Sequence, residues 1–206
     1  MKKLTGFFAV GLCMAIAANA SATEFDGPYV GITLAMDHFN TEYTYEDGNT
    51  GNGDASVDGL GADGANFGGI AGYEKQFGSN VIGIEANFDY SNAETTLGIS
   101  ALKAERTLGL SLRLGRVLSQ STLLYGKLGW VNTNFEAKVG ANSEDEDLNG
   151  FVIGAGIELA LDEIKLRAEY TFAGYEDIDF VNSTTGETGT YEPGRGQFLV
   201  SVKYNF

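Results

Sequence analysis

The chain has 206 residues, of which 28 are acidic and 13 basic, for a formal charge of −15, with one cysteine and one histidine. Such acidity disfavours nucleic acid and anionic lipid surfaces as partners, since both carry the same sign of charge. The 29 glycines alternate with aromatic and aliphatic residues in short segments, so they mark turns and tight packing rather than disorder.

Lys2 and Lys3 precede an apolar run from Leu4 to Ala18 that is too short to span a bilayer, and Ala20-Ser21-Ala22 supplies a small-x-small cleavage pattern. Residues 1–22 are therefore expected to be a secretory signal peptide, cut after Ala22 or after Ala20, with 23–206 a single domain. Cys13 falls inside this segment behind Leu12, where a lipoprotein signal wants a small residue, so no lipid anchor is expected. The mature chain would hold no thiol, no disulfide and no Cys-ligated metal. No later stretch is long and apolar enough for a transmembrane helix. A membrane crossing could then only be a closed barrel, in which every backbone polar group is paired within the protein.

Period-two alternation fills the rest of the chain. Val30, Ile32, Leu34 and Met36 face one way against Gly31, Thr33, Ala35 and Asp37. After a loop expected from Glu46 to about Asn66, the chain alternates Phe67, Gly69, Ala71 and Tyr73 with Gly68, Gly72, Glu74 and Gln76. A tight turn at Gly78-Ser79-Asn80 leads to Ile82, Ile84, Ala86, Phe88 and Tyr90 against Gly83, Glu85, Asn87 and Asp89. A loop around Asn92 to Ala101 precedes Leu108, Leu110, Leu112 and Leu114, the cleanest pattern in the chain. A short turn, Ser119 to Ser121, gives way to Leu124, Leu128 and Trp130 against Tyr125, Lys127 and Gly129. An acidic loop, Asn142 to Asn149, is followed by Phe151 to Leu159, the turn Asp162-Glu163, and Ile164 to Phe172. A last loop from Glu176 to about Arg195 brings in the closing strand, with Phe198, Val200, Val202, Tyr204 and Phe206 on its apolar face.

The expectation is an all-β, eight-stranded antiparallel up-and-down transmembrane β-barrel, with short and long connections alternating. The even count puts short turns and both termini in the periplasm and long loops outside. Aromatic residues near strand ends, Phe88, Tyr90, Trp130, Phe151 and Phe172 above and Tyr73, Tyr204 and Phe206 below, make two interfacial girdles. A soluble lipocalin-like barrel would want the apolar face inside. Here the opposite face carries glycines and charges of both signs, as a narrow wet lumen does.

The segments SLRLGRV, LLYGKLGW, GAGIELAL and LRAEYTF, followed by FLVSVKYNF, resemble the corresponding strands of the transmembrane domain of outer membrane protein A and of the small-porin family that shares its barrel. The resemblance implies a bacterial outer-membrane protein. It also implies that Phe198, Val200, Val202, Tyr204 and Phe206 form the terminal signal read by the barrel assembly machinery.

Counted from the short turns, the inward-facing Glu85, Arg113, Lys127, Glu158, Arg167 and Glu169 all fall near mid-height, about 10–15 Å up. Three acids and three bases can neutralise one another, and an unpaired charge in so confined a space would cost several kcal/mol. The resemblance implies that Glu85 with Arg113, and Glu158 with Arg167, form a salt-bridged constriction that can rearrange as a gate, with Lys127 and Glu169 as neighbours. The plainer reading is a plug, because an eight-stranded interior is only wide enough for side chains.

No catalytic residue, metal or cofactor is expected. The one histidine, His38, falls on the lipid-facing register near the outer end of the first strand, without a serine motif that would suggest lipid A hydrolysis. Asp54, Asp58 and Asp63, Glu144 to Asp147, and Glu176, Asp177 and Asp179 make an acidic crown of solvated loops, with no spacing of a dedicated calcium loop. The function expected is non-enzymatic: a structural or surface-interaction role in the envelope. A low-conductance pore gated by the charge belt is the alternative, and a lipid A-modifying enzyme a distant third. The expected partners are outer-membrane lipid, surface glycolipid and the assembly machinery, for a chain acting as a monomer.

Overall fold

The structure, a computed structural model, describes residues 25–46, 55–91, 94–97, 100–139, 142–181 and 188–206, and side chains over 25–39, 64–91, 105–135, 147–177 and 193–206. The expected signal peptide with Cys13 lies outside the described residues, as do the side chains of Asp54, Asp58, Asp63, Glu144, Asp145, Glu146 and Asp179.

The strands are β1 (Gly27–Glu46), β2 (Ala55–Phe77), β3 (Asn80–Ser91), β4 (Glu94–Leu97), β5 (Ser100–Ser119), β6 (Thr122–Val139), β7 (Asn142–Leu161), β8 (Ile164–Tyr175), β9 (Ile178–Val181) and β10 (Thr188–Asn205). Eight of them run β1-β2-β3-β5-β6-β7-β8-β10 in antiparallel order, and β10 pairs back onto β1. That closure abolishes the sheet edge. The eight-stranded barrel expected from the alternation is the fold.

Following partners around the wall from Tyr29 leads through Gly72, Glu85, Ser111, Gly129, Val152, Ala173 and Arg195 and returns to β1 at Phe39. This stagger tilts the strands steeply and fixes a bore that side chains can fill.

The short connections are as expected. Gly78 takes the left-handed conformation (φ 61°) between β2 and β3, and Asp162 does so between β7 and β8 (φ 58°), a backbone that aspartate tolerates better than most residues. The long connections differ from expectation. Four stretches expected as loops are largely strand: β2 begins at Ala55, β5 at Ser100, β7 at Asn142 and β10 at Thr188, while β4 pairs with β5 and β9 with β10. The reason is physical. Above the bilayer both faces of a hairpin meet water, so pairing can continue without any alternation of apolar and polar residues to announce it.

At membrane level the molecule is inside-out. Val30, Ile32, Leu34 and Met36, Leu108 to Leu114 on alternate positions, and the aromatic girdle residues Phe88, Tyr90, Trp130, Phe151, Phe172, Tyr73, Tyr204 and Phe206 all project outward. Between Phe151 and Leu161, β7 keeps this outward face apolar, a run whose tilted height matches the ~25 Å band of outer-membrane barrels.

Two inward tyrosines lie across glycines on neighbouring strands: Tyr29 over Gly72, and Tyr125 over Gly156. A Cβ on Gly72 would stand 2.5 Å from both the Tyr29 ring and the Ile84 carbonyl oxygen. Gly72→Ala is therefore expected to destabilise the barrel by about 1–3 kcal/mol through overpacking. The denaturant midpoint of the protein refolded in detergent checks this, and an unshifted midpoint would mean that both the Tyr29 ring and the β3 backbone at Ile84 can give way at no cost.

Candidate functional site

The lumen is filled in layers. At the periplasmic mouth Phe25, Val81, Val117, Leu123, Tyr125 and Ala160 form an apolar cluster. Phe25 is fully buried there; its backbone N–H donates to Gln76 Oε1 at 3.2 Å, and the Lys165 ammonium lies 5.4 Å from its ring centre. At the external end Phe39, Phe135 and Tyr175 stack edge to face, with centroids 5.9 and 5.6 Å apart, among Val131, Leu148, Val152 and Ala173.

Between the two apolar layers lies the charged one, which brings all six expected belt residues together. Arg167 reaches Glu85 at 2.7 Å and Glu158 at 3.3 Å. Lys127 bridges Glu85 at 3.3 Å and Glu169 at 3.0 Å. Arg113 binds Glu158 at 3.1 Å and also Glu74. Lys203 closes the circuit, 2.7 Å from Glu74 and 2.6 Å from Glu158.

Two corrections to the expected belt follow. The pairing of Glu85 with Arg113 is the loosest contact, at 3.9 Å, and the closest cation to Glu85 is Arg167. The layer also holds four acids and four bases rather than three of each, because Glu74 and Lys203 join it. Both sit near the short turns. A long side chain carries its charge well away from its own Cα, so both reach the layer from below. Their inward alternation was the signal that could have found them.

Tyr29 and Tyr125 complete the layer. The Tyr29 hydroxyl donates to Glu85 Oε2 at 2.7 Å, and that of Tyr125 donates to Glu169. The Lys203 ammonium lies 4.0 Å above the Tyr29 ring, and the Arg113 guanidinium 3.9 Å above that of Tyr125. Each ring thus faces a cation while its hydroxyl serves an acid. With Tyr29 on β1, Glu74 on β2, Glu85 on β3, Arg113 on β5, Lys127 on β6, Glu158 on β7, Arg167 and Glu169 on β8 and Lys203 on β10, every barrel strand contributes a member.

Above this layer Asp37 accepts hydrogen bonds from Asn66, Ser91 and Gln197. Asp89 accepts from Thr33 and Asn87, and Arg195 donates to Thr107 Oγ1 at 3.1 Å. The alternation had put Asp37 and Asp89 inside, but not this second, hydroxyl- and amide-rich tier.

The residues of the terminal strand, Phe198, Val200, Val202, Tyr204 and Phe206, project to the outside, with Tyr204 and Phe206 edge to face at 5.1 Å. His38 is outward-facing beside Gly196 of β10. Of the acidic crown, Glu176, Asp177 and Asp147 are exposed, and Asn134 donates to Asp147 Oδ1 at 3.0 Å.

A closed antiparallel barrel with an apolar exterior and an ion-paired interior is the architecture of small outer-membrane proteins, and the family model of the outer membrane protein beta-barrel domain matches residues 7–206. The chain belongs to that family. Among solved structures the barrel is similar to the outer membrane protein OprG from Pseudomonas aeruginosa, at 12% identity over 88% of this chain and 98% of that one (TM-score 0.54). It is also similar to Neisserial surface protein A, at 12% identity over 84% of this chain and 97% of that one (TM-score 0.51). At such identities these likenesses concern the fold. No curated protein sequence matches the chain. The barrel resides in the bacterial outer membrane, where its outward face meets lipid and its external hairpins meet the surroundings of the cell.

Proposed function

We propose that this barrel is a non-enzymatic protein with a structural and surface-interaction role in the envelope, its lumen shut by the ion-paired layer rather than conducting. The observation that carries the reading is the burial of that layer: none of its eight charged side chains belongs to a residue more than 7% exposed. Each of them is held by at least one opposite charge, several by two. Opening a path would separate charges in a medium where an unpaired one is costly. A catalytic role finds no support in this arrangement, since the buried carboxylates are all engaged with cations or hydrogen-bond donors and His38 stands outside on the lipid-facing register.

The partners of this reading are outer-membrane lipid, surface glycolipid and the assembly machinery that reads the terminal strand, with the chain acting as a monomer. Refolded protein in planar bilayers is expected to be electrically silent. Reproducible wild-type openings would instead favour the low-conductance pore, with the charged layer as its constriction.

A further inference from the structure

A groove crosses the outside of β6, β7 and β8 at the level where the apolar band ends. Trp130 and Phe151, 48% and 58% exposed, line its membrane side, and Asn149 and Glu176 line its water side. Its floor is Gly174, an outward strand position over which an added Cβ would meet nothing within 4 Å. The polar side is organised: Asn132 Nδ2 donates to Asn149 Oδ1 at 3.1 Å, Asn149 Nδ2 reaches Glu176 Oε2 at 3.5 Å, and the Glu176 backbone N–H donates to the Asn149 carbonyl oxygen at 3.0 Å. The result is a shelf of amide and carboxylate groups directly above exposed aromatic rings.

We propose that this groove seats a neutral sugar ring in the headgroup of an outer-leaflet glycolipid. A sugar ring has an aliphatic C–H face, which packs on aromatic planes, and a hydroxyl rim, which pairs with amide and carboxylate groups. Trp130 and Phe151 offer the first, and Asn149 and Glu176 the second. Among the described residues the lining holds a carboxylate and no cation, so a phosphate is repelled while hydroxyl donors are accepted. An outward cation on the same rim, Arg106, stands on β5 opposite Asn134 and off the groove. The groove lies on the outward, lipid-facing wall, continuous below with the exposed Phe151, Ile153 and Phe172, so its occupant is one already anchored in the bilayer, with its chains running down past those residues. The inference rests on the barrel's place in the outer membrane and not on a closed lumen, so the conductance result leaves it untouched.

Trp130 is the only tryptophan in the sequence, so its emission reports the groove without a label. Refolded protein in dodecylphosphocholine micelles would be titrated with dodecyl maltoside at constant total detergent. A saturating change in emission is expected for the wild type, several-fold weaker in Asn149→Leu and absent in Gly174→Val, which fills the floor with a strand-favouring side chain pointing into open space. Heat-dependent gel mobility verifies that both variants are folded; Glu176→Gln, altered only at an exposed carboxylate, serves if either is not, and is expected to weaken the response likewise. A linear, non-saturating change, identical curves for wild type and variants, or an equal response to dodecyl phosphate would overturn the assignment.

Discussion

Replacing Arg113 by methionine is expected to cost about 3–5 kcal/mol of folding free energy, the scale of removing one partner from a buried ion pair. Arg113 is 1% exposed, contacts Glu74 and Glu158, and holds its guanidinium carbon 3.9 Å from the centre of the Tyr125 ring. Methionine keeps an unbranched stem of similar reach against that ring, so the loss is mainly of charge, with four acids left facing three bases. The double variant Arg113→Met/Glu74→Gln restores the balance and should recover a substantial part of the loss. The denaturant midpoint of each refolded variant is the measurement. A loss below about 1 kcal/mol, the scale of an exposed pair, would mean that the layer is effectively hydrated and the lumen open. Failure of the double variant to recover would place the energy in the specific Arg113 contacts rather than in charge balance.

Deleting Phe206 is expected to remove most of the folded protein from the outer membrane in cells while leaving the refolded barrel close to wild-type stability. The residue adds an outward aromatic ring against Tyr204 and one backbone hydrogen bond, from its N–H to the Pro28 carbonyl oxygen at 3.0 Å. Together these are worth on the order of 1–2 kcal/mol. A terminal ring exposed to lipid thus contributes little to the finished structure, and its value would lie in recognition during assembly. Outer-membrane yield measured beside the denaturant midpoint separates the two contributions. Equal losses in both would make Phe206 a structural residue only, whereas a normal yield would remove it from the assembly signal.

The membrane-level barrel was legible because lipid outside and a polar lumen inside impose a period of two on every strand; Leu108 to Leu114 shows it without interruption, and Phe198 to Phe206 with Leu199 as its one exception. The same physics explains what was not legible. Once β2, β7 and β10 rise above the lipid no such constraint acts, and segments such as Asn142–Asn149 read as loop although they pair as strand. Inward direction identified the charged residues, but not their partners. Which acid meets which base depends on the stagger of the wall and on side-chain reach, as Glu74 and Lys203 demonstrate by joining from near the turns and Glu85 by preferring Arg167. The roles of Tyr29 and Tyr125 needed two facts that sit on different strands, a ring on one and a glycine on the next. The groove beside Trp130 depends in the same way on Gly174 of β8 facing Phe151 of β7, with Glu176 facing Asn149 one step above.

The distribution of the charged layer over all eight barrel strands has a consequence for the order of events in assembly. The chain emerges with Tyr29 and Glu74 near one end and Lys203 at the other, and Lys203 is the cation shared by Glu74 and Glu158. Glu158 can gain that partner once β10 pairs with β8, but until β10 docks on β1 Glu74 lacks it, and a half-built sheet holds that interior charge at a loss that only the last seam relieves. The final hydrogen-bonded ladder and the final ion pairs are thus completed in one step. A partly wrapped barrel, or one re-opened between β1 and β10, should therefore be a short-lived species rather than a resting state.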